Sequence, residues 1–369
     1  MTSSDATIRD VQATAYRVPT DQPEADGTLA WDSTTIVVVT VAAGSTVGTG
    51  WTYGPAACAA VVSELLGPVV TGRPVLDVGG CWQTMVDTVR NAGRAGVAGY
   101  AISAVDVALW DLKARLLDLP LHRLLGAVRG EVPLYGSGGF TTYDPHALAA
   151  QLTGWVEGQG FARVKIKIGE SWGTRASRDL DRVRQAREVV GDDVELYVDA
   201  NGAYTPKQAI RLADSLTEHG VSWFEEPVSS DDLAGLSQVC GHIQPDVAAG
   251  EYGSDLTYFR RMCAAGAVDC LQADATRCGG ITEWLRVAAV AAAHHLQISG
   301  HCAPHVHLHA AAATPNLRHL EWFHDHVRIE HLLFDGGLQP AGGALRPRDS
   351  VHGHGLTLSA EHAAPFRIA

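Results

Sequence analysis

The segment RVKIKI at 163–168, with VELYVD at 194–199, VSWFEE at 221–226, DVAAGE at 246–251, DCLQAD at 269–274, LQISGH at 296–301 and RHLEW at 318–322, decides the fold. Each reads as a short apolar strand. Counting VPLYG at 132–136, eight strands alternate with helical segments over about 190 residues, which predicts a parallel sheet closed into a barrel. One helix start is explicit: Thr205 and Gln208 have capping-box spacing, Pro206 takes the first helical position, and Gly220 follows the last turn.

The strands share a second property. Lys167, Asp199, Glu225, Glu251, Asp274, His301 and Glu321 stand at or near their ends, at intervals of 32, 26, 26, 23, 27 and 20 residues. Each interval is one strand plus one helix, so every unit delivers its ionisable group to the same end. In a (β/α) barrel that end is the carboxyl-terminal rim, where groups from different strands converge. The seven side chains are therefore expected around one cavity.

Alternation within RVKIKI puts Val164, Ile166 and Ile168 on one face and Lys165 and Lys167 on the other. Two ammonium groups so close disfavour each other's charge, which predicts a lowered pKa and an amine base near neutral pH. Asp199, Glu225 and Glu251 in one cavity would repel one another without a cation. Oxygen-only ligation with room for water and substrate suits Mg²⁺ better than zinc. Asn201 either braces that metal shell or opens the following loop as an Asx-turn. Asp274 beside His301 would fix the imidazole tautomer and raise its basicity, an acid/base dyad. Glu321, if protonated, could hydrogen-bond a developing oxyanion.

Residues 1–130 read differently, as an α+β domain. The β-branched run at 36–41 and its continuation at 47–53 suggest an antiparallel meander around Gly44 and Ser45. Ile102, Val105, Leu109, Leu112 and Leu116 then step by three and four, one apolar stripe of a helix ending near Pro120. The barrel occupies 131–323. The Gly- and Pro-rich residues 324–369 have no barrel unit left to build and are expected to pack back on the first domain.

Composition excludes other classes. Of 369 residues, 46% are hydrophobic and 19% charged, too apolar for a disordered chain. Forty-one acidic residues against 28 basic ones give a formal charge of −13 with no basic stripe, which argues against nucleic acid as a partner. No apolar run approaches the 18 or so residues that cross a bilayer, and the first ten residues carry no basic-then-apolar leader pattern. A cytoplasmic protein without a membrane partner is expected. Seven cysteines without a CxxC pair indicate buried thiols.

Two further motifs carry no separate chemistry. HCAPHVHLH at 301–309 suggests zinc, but His305, His307 and His309 follow the seventh strand and are expected to begin a helix. YGSGGF at 135–140 matches no dinucleotide fingerprint or P-loop and is expected to be a flexible rim loop.

Together these residues resemble the enolase superfamily, specifically its mandelate racemase subgroup. The likeness rests on Lys-x-Lys of VKIKIG, Asp of VDAN, the first Glu of WFEEP, Glu of AAGE, Asp of QADATRCGG, His of ISGH and Glu of HLEW, and spans nearly the whole chain. AISAVDVALWDLKARLLDLPLHRLLG at 101–126 is similar to the capping-domain helix of that family. The resemblance implies an N-terminal α+β capping domain over a (β/α)₇β TIM-like barrel, Mg²⁺ on Asp199, Glu225 and Glu251, and Lys167 and the His301–Asp274 dyad on opposite faces of a small carboxylate substrate. Lys165 and Glu321 would help stabilise the dianionic enediolate. The segment PTDQPEADGTLAW at 19–31 corresponds to the family's mobile loop over the site, with Trp31 a substrate contact; Ser137 is a further contact by resemblance. The expected activity is a sugar-acid dehydratase giving a 2-keto-3-deoxy acid. The alternative is a racemase or epimerase of a 2-hydroxy acid using the same bases. A symmetric homo-oligomer is also implied.

Overall fold

β-Branched residues pack well on a pleated surface, and the run at 36–41 lies accordingly in the central strand of an antiparallel meander. In a computed structural model of the chain, which describes residues 6–368, β1 (Asp10–Ala25), β2 (Ala30–Ala43) and β3 (Thr46–Tyr53) pair in sequence order, with Ile36 between Tyr16 and Tyr53. Residues 1–5, which belong to the stretch read for a leader, lie outside the described residues.

The helix Val97–Leu116 packs on this sheet and buries Ile102, Val105, Leu109 and Leu112. The approach is so close that a Cβ at Gly50 would lie 2.3 Å from the Ala104 carbonyl oxygen. Only a residue without a side chain fits there. The same helix grips the barrel. Asp106 accepts hydrogen bonds from the Thr282 backbone at 2.9 Å and its hydroxyl at 2.6 Å, which fixes the helix Gly280–Ala293.

The barrel comprises β4 (Val132–Gly138), β5 (Arg163–Lys167), β6 (Glu195–Asp199), β7 (Val221–Glu225), β8 (Asp246–Ala249), β9 (Cys270–Ala273), β10 (Gln297–Gly300) and β11 (Leu317–Phe323). Each pairs in parallel with the next, and β11 pairs with β4 to close the ring. The (β/α)₇β barrel with its α+β cap is thus the architecture of the molecule. Val164, Ile166 and Ile168 join Leu148, Leu152, Val183 and Ala186 of the flanking helices in one apolar core. Tyr135, Tyr197, Trp223, Ala248 and Cys270 form a separate buried cluster. Because Tyr197 is paired with Lys165, this cluster shares its inward face and fills the barrel interior at that level, one layer below Lys167 and Asp199.

One sequence expectation needs adjustment, and two gain detail. YGSGGF is not a loop from its start: Tyr135 to Gly138 belong to β4, since their backbone groups complete the ladder between β5 and β11. The segment 19–31 is a strand-paired hairpin, with Glu24 opposite Trp31, Ala25 opposite Ala30 and a register shift between Pro19 and Glu24. Its turn is closed by the Asp26 carboxylate, which accepts from the Leu29 backbone at 2.8 Å. The segment after β11 contacts both domains: the Trp51 indole donates to Glu330 at 3.2 Å, while residues 344–345 pair antiparallel with β4.

The helix Pro304–Ala312 carries His305, His307 and His309 to separate partners, Glu330, the Ala275 amide and the His354 carbonyl. They do not converge on a metal. All seven cysteines are unpaired, and among the described residues no helix is long and apolar enough to cross a membrane.

Candidate active site

Strand register builds the site. Lys167, Asp199 and Glu225 are direct neighbours across β5, β6 and β7. One carboxylate oxygen from each of Asp199, Glu225 and Glu251 lies within 4.8 Å of the others, and all three residues are buried. Lys167 donates to Asp199 Oδ2 and Lys165 to Glu225 Oε1; Lys165 also lies 2.8 Å from Glu321 Oε1.

This pairing reverses the expected titration of the lysines. Burial pulls the Lys165 ammonium down, but the charges of Glu225 and Glu321 outweigh it and hold it well above its ordinary value. Lys167 is likewise raised, burial being overcome chiefly by Asp199, with Lys165 opposing. The two ammoniums do repel, as anticipated. Facing carboxylates simply contribute more.

Glu321 also departs from its expected role. Its Oε1 accepts from the Ser137 hydroxyl at 2.5 Å and from Lys165, and its Oε2 accepts from the Cys302 amide at 2.8 Å. Burial would raise its pKa, yet Lys165 and His301 hold it well below the usual carboxylate range. Glu321 is therefore an ionised acceptor that orients Lys165, without a proton to offer in this arrangement.

His301 and Asp274 meet as a dyad. Imidazole Nδ1 is 2.8 Å from Asp274 Oδ2, and Nε2 is 3.3 Å from Glu251 Oε2. The Thr276 amide and hydroxyl donate to Asp274 Oδ1 at 2.6 and 2.7 Å. Burial disfavours the Asp274 charge, but His301 and Arg277 hold its carboxyl below the usual range. His301 is raised against its own burial, chiefly by Glu251 and helped by Asp274.

The remaining expected residues lie as follows. The Asn201 backbone amide donates to Asp199 Oδ1 at 2.9 Å, an Asx-turn, and its buried side-chain oxygen has no partner among the described residues. Ser137 is fully buried against Glu321. Trp31 donates to Glu24 Oε2 at 2.7 Å and stands edge-on to Phe140 at 5.6 Å, so its contacts are with the hairpin and the end of β4.

Two residues escaped the strand-end reading. Arg277 lies between the rings of Tyr100 and Tyr252, at 5.8 and 5.6 Å, with its guanidinium 3.3 Å from Glu251 Oε1 and 3.4 Å from Asp274 Oδ2. Its position three residues after Asp274, in the turn opening a helix, was the available signal. Glu226 is buried with Oε1 unpartnered, and burial plus Glu251 push it well above the usual carboxylate range. The second Glu of WFEEP was the clue.

The electrostatics test a cation directly. Burial, with Asp199 and Glu321, outweighs Lys165 and pushes Glu225 up to about 8, and Glu251 Oε2 lacks a hydrogen-bond partner among the described residues. Three converging buried carboxylates with an open oxygen fit a hard divalent ion, and an oxygen-only donor set fits Mg²⁺.

Comparison with known proteins bears on both domains. Residues 8–126 match the model of the mandelate racemase / muconate lactonizing enzyme N-terminal domain, and residues 147–363 match the enolase C-terminal domain-like model. A mandelate racemase/muconate lactonizing enzyme-like protein from Rubrobacter xylanophilus superposes with a TM-score of 0.95 at 47% identity, covering 98% of this chain and 100% of that one. A 3,6-anhydro-alpha-L-galactonate cycloisomerase from Streptomyces coelicolor is 34% identical over 98% of this chain and 99% of its own length. An L-talarate/galactarate dehydratase from Salmonella typhimurium is 34% identical over 73% of this chain, a match spanning 66% of that enzyme, just under two thirds. Its structure liganded with Mg and L-lyxarohydroxamate superposes with a TM-score of 0.90 at 28% identity, covering 100% of this chain and 95% of that one.

Proposed function

Because the chain belongs to the mandelate racemase / muconate lactonizing enzyme family of the enolase superfamily, we propose that it is a Mg²⁺-dependent dehydratase of a sugar acid, an aldonate or aldarate, giving a 2-keto-3-deoxy acid. One observation carries the reading: Lys167 stands at the Asp199 end of the carboxylate set and the His301–Asp274 dyad at its Glu251 end. Two proton-transfer groups of different chemistry thus flank one cation site.

Asp199, Glu225 and Glu251 would hold Mg²⁺, whose chemistry there is Lewis-acid stabilisation of negative charge on the substrate carboxylate. His301 Nε2 as neutral imidazole, or Lys167 Nζ as the free amine once a cation on Asp199 cancels the charge that holds its proton, would remove the α-proton, leaving the electron pair to form the enediolate. Lys165, oriented by Glu321, presents a fixed positive charge to it. His301, as imidazolium, then protonates the departing β-hydroxyl, so the β-carbon–oxygen bond breaks and water leaves. The resulting enol takes up a proton at C3 and becomes the 2-keto acid. Asp274 occupies Nδ1 and fixes the tautomer, so Nε2, which faces Cys302 Sγ and Glu251 Oε2 at 3.3 Å, is the nitrogen left for both transfers.

The test is a panel of aldonates and aldarates with Mg²⁺, monitored for 2-keto acid. Absence of water loss from every member would reject dehydration. The same two-ended base arrangement also supports racemisation or epimerisation of a 2-hydroxy acid. Deuterium from solvent entering the α-position, with the substrate otherwise unchanged, would select that reading.

A further inference from the structure

On the barrel rim, outside the central carboxylate set, a second group of donor atoms joins opposite ends of the chain. Asp21 and Glu24 lie on the outer limb of β1, and His324 begins the helix His324–Leu333 that follows β11. One donor atom from each lies within 4.8 Å of the others. His324 Nε2 is 3.2 and 3.0 Å from the two oxygens of Asp21.

Glu24 makes this more than a surface ion pair. It is fully buried, its Oε2 accepts from the Trp31 indole, and its Oε1 has no partner among the described residues. An open oxygen on a buried carboxylate is costly unless something is bound to it. The surroundings deepen the deficit. Asp325, also fully buried, is held by Thr34 and by Arg328 at 2.6 Å; the Arg328 guanidinium donates to Asp325 and the Pro19 carbonyl, and its charge offsets only part of the negative charge around Glu24. Burial first, then the charge of Asp325, pushes Glu24 up to about 8.

We propose that Asp21, Glu24 and His324 form a second cation site, distinct from the barrel-mouth carboxylates, that takes a divalent transition ion such as Zn²⁺ and pins the 19–31 hairpin to the end of the last barrel strand. The donor set supports the ion class. One imidazole nitrogen with two carboxylates favours Zn²⁺ over Mg²⁺, which prefers oxygen throughout. The His324 and Asp21 side chains are 25% and 43% exposed, leaving an entry path and room for water ligands. Binding would replace the proton on Glu24 and satisfy its open oxygen.

The position gives the ion a consequence. The tip of the same hairpin lies on the backbone just beyond Lys167, where the Gly27 carbonyl accepts from the Trp172 amide at 2.9 Å. An ion at the hairpin's base would hold its tip on the barrel rim. This inference stands whether or not the chain dehydrates sugar acids.

The experiment is Zn²⁺ titration of metal-stripped, full-length protein by calorimetry in a Glu225→Gln/Glu251→Gln/Cys302→Ser background, which disables the barrel-mouth carboxylates and the neighbouring donor group of His301, Cys302 and Glu321. A single Zn²⁺ per chain should bind. Adding His324→Ala or Glu24→Gln should weaken it by more than the roughly 100-fold that loss of an outer-shell partner can cost. Thermal unfolding of each variant checks folding, with Asp21→Asn as a milder third variant. Zn²⁺ should also slow hydrogen exchange at the Trp172 amide in the parent but not in the His324→Ala variant. No Zn²⁺ in the parent, leaving Glu24 with a proton only, or equal binding in parent and variants, would overturn the site.

Discussion

His301 Nδ1 lies 2.8 Å from Asp274 Oδ2, and the two residues come from the ends of adjacent barrel strands 27 positions apart. The carboxylate is satisfied on its other oxygen by Thr276, so it cannot turn away from the ring. The dyad is consequently a fixed unit, with Nε2 as the only ring nitrogen left for chemistry.

Asp274→Asn keeps the shape and alters the proton. An amide can present either its oxygen or its NH₂ to Nδ1, so the tautomer is no longer enforced. Turnover should fall by roughly 10²-fold or more. Steady-state kinetics on whichever acid is turned over should show the loss in kcat, with KM little changed; an unaltered kcat would remove the dyad from the mechanism.

Lys167→Ala and His301→Asn should separate the two bases. Each is expected to lower dehydration roughly 10²- to 10⁴-fold. A variant that keeps its remaining base on the correct face should still exchange the α-proton with deuterated solvent. Proton NMR of recovered substrate reads this directly, and loss of exchange in neither variant would contradict both assignments.

Chelation should abolish activity, and Mg²⁺ should restore it. The ion also binds the folded chain preferentially, so at one hundred times its Kd it should add about 2.7 kcal/mol of stability. Thermal denaturation with and without Mg²⁺ measures this. No shift at millimolar Mg²⁺ would mean that Asp199, Glu225 and Glu251 do not hold it.

Glu24 sets a pH dependence in metal-free protein. Its pKa is about 8 folded against 4.5 for an unperturbed side chain, so the folded state keeps a proton that the unfolded state releases. Its contribution is complete below about 4.5, declines as pH rises toward 8, and is flat above. Urea unfolding at pH 5 and pH 8 should show the wild type losing more stability than Glu24→Gln over that interval. Parallel behaviour would show that Glu24 is not protonated when folded.

Gly27→Ala should unseat the hairpin tip. A Cβ there would meet the carbonyl oxygens of Ile168 and Gly169 at 2.6 and 2.8 Å, both fixed backbone atoms. KM should rise several-fold and the Trp172 amide should exchange faster, while the midpoint of thermal unfolding changes little. Unchanged exchange at Trp172 would show that the tip adapts in place.

Some of this was legible beforehand. Period-two alternation in RVKIKI assigned Lys165 and Lys167 to one face, because a strand has no other way to dispose of successive side chains. The spacing from Lys167 to Glu321 implied convergence, because a strand and its return helix form a unit of nearly constant length. Arg277 and Glu226 were less visible. Arg277 lies in the turn after a strand, where periodicity carries no direction, and its partners Tyr100 and Tyr252 come from separate parts of the chain. The hairpin at 19–31 was hidden by its turn-rich composition, since Pro, Asp and Gly describe a loop equally well.

Alone, the sequence determined the barrel, its cap and the gathering of ionisable groups at one rim, because periodicity and unit length are local properties of the chain. Tertiary structure alone decided the charge on each group: that Glu321 is ionised, that both lysines hold their protons more tightly than the free amine, and that buried Glu24 has an open oxygen. Charge in a low-dielectric interior depends on every neighbour within a few ångströms, and those neighbours arrive from strands and helices hundreds of residues apart.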